Sequence, residues 1–133
     1  MHIADVADYL EEIAQKLEET GGALTEGPTI ELNERETAAS LELSIEYSDG
    51  SRLEVTLTVV AGDHPDWTDY SFQYMGGDDR CIFRYDNTPH YHGHSFFPHH
   101  KHAGPGERAA DHPRPSVAHI VREVLAHQAG PAH

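Results

Sequence analysis

Leu41-Glu42-Leu43-Ser44-Ile45-Glu46-Tyr47, then Ser48-Asp49-Gly50, then Ser51-Arg52-Leu53-Glu54-Val55-Thr56-Leu57-Thr58-Val59 is the stretch that decides the fold. Apolar and polar side chains alternate on both sides of the turn residues, and a period of two puts every apolar one on the same side of an extended chain. That pattern predicts a β-hairpin with one buried face. Parity selects its turn. A two-residue Asp49-Gly50 loop would set Tyr47 opposite Arg52 and Ile45 opposite Glu54, mixing faces, because directly opposed residues share a side of the sheet. A three-residue loop over residues 48–50, with Gly50 left-handed, pairs Ile45 with Leu53 and Leu43 with Val55 instead.

A second hairpin is predicted downstream, with strands over residues 70–75 and 80–86 joined across Gly76-Gly77-Asp78-Asp79. A four-residue loop pairs Tyr74 with Cys81 and Phe72 with Phe83. Tyr70, Phe72, Tyr74, Cys81, Phe83 and Tyr85 then line the inner face, and Ser71, Gln73, Ile82, Arg84 and Asp86 the other. Residues 33–37 and 62–67 read as connections, and residues 29–32 offer a further strand. Upstream, Ile3, Val6, Leu10, Ile13 and Leu17 recur at steps of three and four, describing an amphipathic helix stopped by Gly21-Gly22. Downstream, residues 87–113 are rich in His, Pro and Gly, show neither period, and read as a long loop. Pro115-Ser116 then caps a helix whose apolar face is Val117, Ile120, Val121, Val124 and Leu125, ended by Gly130-Pro131. The expected fold is α+β: an antiparallel sheet of four to five strands with N-terminal and C-terminal helices packed on one face, all in a single domain spanning residues 1–133.

The net charge of −14 argues against a generic nucleic-acid binder, since phosphates would be repelled. The charge is unevenly spread, however. Residues 1–80 carry −15, whereas residues 81–133 carry +1 together with ten of the twelve histidines. Partial protonation of those imidazoles makes the C-terminal part cationic, so an acidic body can still present a positive site to an anion. The acidic body itself suits a salt-rich cytoplasm, as in a halophile, where charge is screened over a few ångströms. The single cysteine, Cys81, excludes an internal disulfide and a multi-cysteine zinc site, and its alternation reads as a small core residue. No run is long and apolar enough to span a membrane, and the acidic start lacks a secretory layout, so the expectation is a soluble cytoplasmic protein.

Chemistry is expected around residues 84–102, where six of the twelve histidines fall between His90 and His102. Histidine changes charge near neutral pH and ligates metals, which makes this density informative. Arg84 and Asp86, two apart on a strand, point the same way, and Asn87-Thr88-Pro89 turns the chain to deliver His90 nearby. Guanidinium forks onto phosphate or carboxylate, a carboxylate fixes an imidazole tautomer, and His90 then serves as base or acid. In extended chain His100 and His102 project together, with His99 and Lys101 on the other side; Lys101 is positioned by type to neutralise an anion. An exposed Arg84–Asp86 pair and a solvated His-rich loop are the plain alternatives. Another is a zinc or other divalent site built from His90, His92 and His94, or from His90 with His100 and His102, although that spacing is not diagnostic. No cofactor is otherwise expected, and a phosphate cradle is lacking because Gly76-Gly77 precedes no helix.

Phe83-Arg84-Tyr85-Asp86-Asn87-Thr88-Pro89-His90 and Phe97-Pro98-His99-His100-Lys101-His102 resemble the paired motifs of the TumE family, small toxins of type II toxin-antitoxin systems. The Asp49-Gly50-Ser51 hairpin, the Tyr70-Ser71-Phe72-Gln73-Tyr74 strand and the Pro115-Ser116 helix fall in the order that resemblance requires. It implies a helix-turn-helix antitoxin as partner, action on RNA or another component of translation, and a site formed by Arg84, Asp86, His90, His99, His100, Lys101 and His102. A toxin acting on RNA or translation is the leading expectation, with a metal-independent, His-dependent ribonuclease as one form of it. A non-enzymatic or metal-binding module using the His-rich loop is the alternative, and self-association is left open. His92 and His94 in the spacer, and the acidity of the body, depart from the family pattern.

Overall fold

A computed structural model of the chain describes residues 1–87, 98–103 and 108–129. Helix α1 (Ile3–Glu18) leads into β1 (Ala23–Leu32), β2 (Ala38–Glu46), β3 (Arg52–Val60), β4 (Asp66–Met75), β5 (Cys81–Asp86), β6 (His100–Ala103) and β7 (Arg108–Asp111), and α2 (Val117–Ala129) closes the order. The strands form one sheet in chain order, each antiparallel to the next. Such a meander needs only turns between neighbours. The α+β class agrees with the sequence expectation, while the described residues form seven strands rather than four to five. The additional strands come from the 87–113 segment, predicted to be a loop, where β6 and β7 form.

The β2–β3 hairpin has the predicted register, Ile45 opposite Leu53 and Leu43 opposite Val55, with Gly50 at φ 85°. The second hairpin does not. Tyr74 pairs with Phe83 and Phe72 with Tyr85, two residues further along than predicted, because an irregularity at Met75 and a left-handed Asp79 at φ 64° take up the difference. A slip of two preserves faces, so the predicted inner set Tyr70, Phe72, Tyr74, Cys81, Phe83 and Tyr85 is buried as a whole.

Val6, Leu10, Ile13, Ala14 and Leu17 of α1 and Ile120 and Val124 of α2 pack into the core that this face builds. Gly22, where α1 gives way to β1, is required sterically: a Cβ there would stand 2.4 Å from Ile45 Cγ2 and 2.8 Å from the Glu46 carbonyl oxygen. Ser116 caps α2 as predicted, its Oγ accepting the His119 N–H at 3.1 Å. Leu125, assigned from sequence to the apolar face, is instead 42% exposed. At the far end of α2, Gln128 Nε2 donates to Ser51 Oγ at 2.9 Å and also contacts the Tyr74 hydroxyl, tying that end to the first hairpin.

Truncating a fully buried leucine loses both transfer free energy and packing. Leu10→Ala is therefore expected to cost about 2–5 kcal/mol, whereas Leu125→Ala should stay within about 0.5 kcal/mol. Urea unfolding midpoints measure both.

Candidate functional site

On β5, Cys81, Phe83 and Tyr85 enter the core, so Arg84 and Asp86 necessarily lie on the opposite face. β6 pairs with β5 so that Asp86 stands opposite His100 and Arg84 opposite His102. Because opposed residues share a face, this register gathers a carboxylate, a guanidinium and two imidazoles on the side of the sheet away from the core. Arg84 Nε donates to Asp86 Oδ2 at 2.8 Å. His100 Nε2 lies 2.6 Å from Asp86 Oδ1, and His102 Nε2 lies 3.7 Å from Oδ2. The two imidazoles meet edge to face, 4.8 Å between ring centres. At its other nitrogen, His100 Nδ1–H donates to the Pro98 carbonyl at 2.9 Å, which fixes the ring.

Asp86, His100 and His102 are buried, while the Arg84 side chain is about one-third exposed. A buried carboxylate is costly unless paired and hydrogen-bonded. Here Arg84 compensates it. Because Nδ1–H of His100 is spent on the Pro98 carbonyl, the 2.6 Å contact between Nε2 and Asp86 Oδ1 needs a second proton, shared between ring and carboxylate. The arrangement can therefore hold and move protons beside an anion. Asp86, His100 and His102 also bring one ligand atom each within 4.8 Å of one another, a set able to hold a divalent cation. Against that use, Arg84 already engages Oδ2, and a dication would sit beside the guanidinium charge.

The remaining predicted residues are placed elsewhere. Lys101 points to the opposite face, where its Nζ lies 2.5 Å from Glu123 Oε1 of α2, so it does not share the anion site expected for it with Arg84. Tyr85 donates to Glu123 Oε2 at 2.7 Å and lies 3.0 Å from His119 Nε2. Burial, then the Glu123 hydrogen bond and charge, push the Tyr85 hydroxyl far up. Burial raises Glu123, but Lys101, Tyr85 and His119 outweigh it and hold the carboxyl below its ordinary value. This network was not read from the sequence; its one signal is that Glu123 is the only acidic residue in α2. His99 stacks on Tyr70, with Nδ1 2.9 Å from the hydroxyl. Asn87 accepts the Tyr70 N–H at 3.0 Å and donates to the Thr68 carbonyl at 2.9 Å, clamping the end of β5 to β4. His90 lies outside the described residues, as do His92 and His94, and with them the sets of three imidazoles considered for a metal.

Glu123 titrates near 4.5 in an unfolded chain and lower in the folded protein. A depressed carboxyl contributes stability that is complete above the unfolded value and is lost as pH falls through the folded one. Glu123→Gln should thus destabilise the protein by about 1–2 kcal/mol at pH 7. The gap to the parent should shrink towards pH 3, as read from urea midpoints at the two pH values.

Among the described residues, no helix is long and apolar enough to cross a membrane. No curated protein and no solved structure matches the chain. The family model described as Toxin TumE matches residues 7–128. A toxin family of this kind implies an antitoxin partner. Since the match runs from within α1 to the penultimate residue of α2 and takes in the whole sheet, the chain belongs to the TumE family.

Proposed function

We propose that the protein is a toxin that cleaves RNA by proton transfer at the Arg84/Asp86/His100/His102 cluster, and that its partner is a helix-turn-helix antitoxin. The observation that carries this reading is the convergence of two imidazoles on one carboxylate beside a partly exposed guanidinium. In the reaction the His102 imidazole accepts the 2'-hydroxyl proton as that oxygen attacks phosphorus and returns it to the departing 5'-oxygen, giving a 2',3'-cyclic phosphate and a 5'-hydroxyl. His100, held at one nitrogen by Pro98 and at the other by Asp86, orients that carboxylate, and Asp86 stabilises the His102 imidazolium. Arg84 faces the extra negative charge on the phosphorane. The step needs no water and no redox partner, and the proton taken from the 2'-oxygen ends on the 5'-oxygen.

A divalent cation at Asp86, His100 and His102 is the second reading, favoured by the spacing of those ligand atoms and by the His100–Pro98 hydrogen bond that orients the ring.

Purified protein incubated with RNA in excess chelator separates the two. Cleavage should persist and leave cyclic phosphate ends. His100→Ala and His102→Ala should each lower the rate by about 10²–10⁴-fold. Cleavage that appears only on adding a divalent metal supports the second reading, and intact RNA under every condition contradicts both.

A further inference from the structure

Arg114 is held by an aromatic ring rather than by a carboxylate. Arg52, Arg80, Arg84 and Lys101 are ion-paired with carboxylates. Arg114 has no carboxylate partner among the described residues, in a chain with 23 acidic side chains. It lies instead over the indole of Trp67, its guanidinium carbon 4.1 Å from the ring centre. Trp67 is held from behind, with Nε1–H donating to the Tyr9 hydroxyl at 2.9 Å. A cation–π contact through the guanidinium carbon does not use up the N–H donors, and Arg114 is exposed.

The same aromatic row continues to His99. Trp67 packs edge-on against Tyr70 at 5.7 Å, and Tyr70 stacks with His99 at 5.8 Å and an interplanar angle of 15°. His99 is partly exposed and precedes His100 of the cluster directly. Burial, together with the charges of Arg114 and His100, holds the His99 imidazole below its ordinary value, so at neutral pH it is an uncharged ring in a positive field. An oriented guanidinium with no carboxylate partner among the described residues, beside a fixed, partly open ring, has the chemistry of a single-stranded nucleotide site: one group for the phosphate and one for the base.

We propose that Arg114 and His99 form an RNA-binding subsite beside the Arg84/Asp86/His100/His102 cluster, Arg114 taking a backbone phosphate and the His99 ring stacking on the adjoining base. The choice of RNA as ligand rests on the ribonuclease reading of that cluster. Trp67 and Tyr70 act as positioning residues.

The probe is a single-stranded 2'-O-methyl oligonucleotide, which cannot undergo attack by its own 2'-oxygen, with binding followed by fluorescence anisotropy over a range of KCl. Arg114→Ala should weaken binding about 5–10-fold and reduce the salt slope by about 0.7, the loss of one phosphate contact on a single strand. Arg114→Lys keeps the slope but loses part of the affinity. His99→Ala should weaken binding about 5–10-fold while His99→Phe retains it, since every aromatic face stacks. Arg122→Ala, removing an exposed cation of α2, should change neither affinity nor slope. Equal affinity and slope for the parent and Arg114→Ala, or no binding of the probe by the parent, overturns the subsite. Cleavage of ordinary RNA measured in parallel distinguishes the two ideas. Cleavage with Arg114-independent probe binding leaves the ribonuclease and removes the subsite; Arg114-dependent probe binding without cleavage does the reverse.

Discussion

The buried carboxylate of Asp86 is the constraint on which the C-terminal half of the sheet depends. An ionised group with so little exposure is tolerable only if compensating groups reach it, and the β5–β6 register supplies them. A slip of one residue between these strands would exchange faces. It would bring Lys101 beside Asp86 and turn the two imidazoles towards Tyr85 and the core. The opposite face guards the same register, because Lys101 and Tyr85 both reach Glu123 of α2. Strand pairing, helix docking and the polar cluster are thus one problem with one solution, and β6, only four residues long, is held from both sides.

Much of this was legible from sequence where a period or a parity argument applies. The turn at Gly50 follows from requiring apolar residues to face one another, and the structure has that register. Parity likewise puts Arg84 with Asp86 and His100 with His102. It could not show that the pairs meet, because their meeting depends on β6 pairing with β5. The segment that forms β6 and β7 has neither alternation nor β-branched residues to announce it; its strands are defined by hydrogen bonding to an existing edge rather than by local preference. The second hairpin failed in a related way. Counting loop residues assumes a regular ladder, and the irregularity at Met75 breaks that assumption while leaving the faces intact. Leu125 shared the helical period of its neighbours, yet the buried stripe of α2 is narrower than that period suggests: Ile120 and Val124 are fully buried and Leu125 is not.

The charge distribution gains a physical meaning from the fold. The acidic excess lies in residues 1–80, which supply α1 and β1 to β4, whereas the cluster and Arg114 occupy the opposite part of the chain. On the proposed ribonuclease reading, a compensated Arg–Asp pair flanked by imidazoles confines phosphate attraction to one place on a body that otherwise repels it. Such a reading is compatible with membership of a toxin family in a protein of net charge −14.

The central claim is that Asp86 and His100 act on one another across the β5–β6 pair. A double-mutant cycle on stability, with Asp86→Asn, His100→Gln and the combined variant unfolded in urea, tests it most directly. Direct contact predicts a coupling of about 1–3 kcal/mol. Effects that add within about 0.5 kcal/mol would contradict the account.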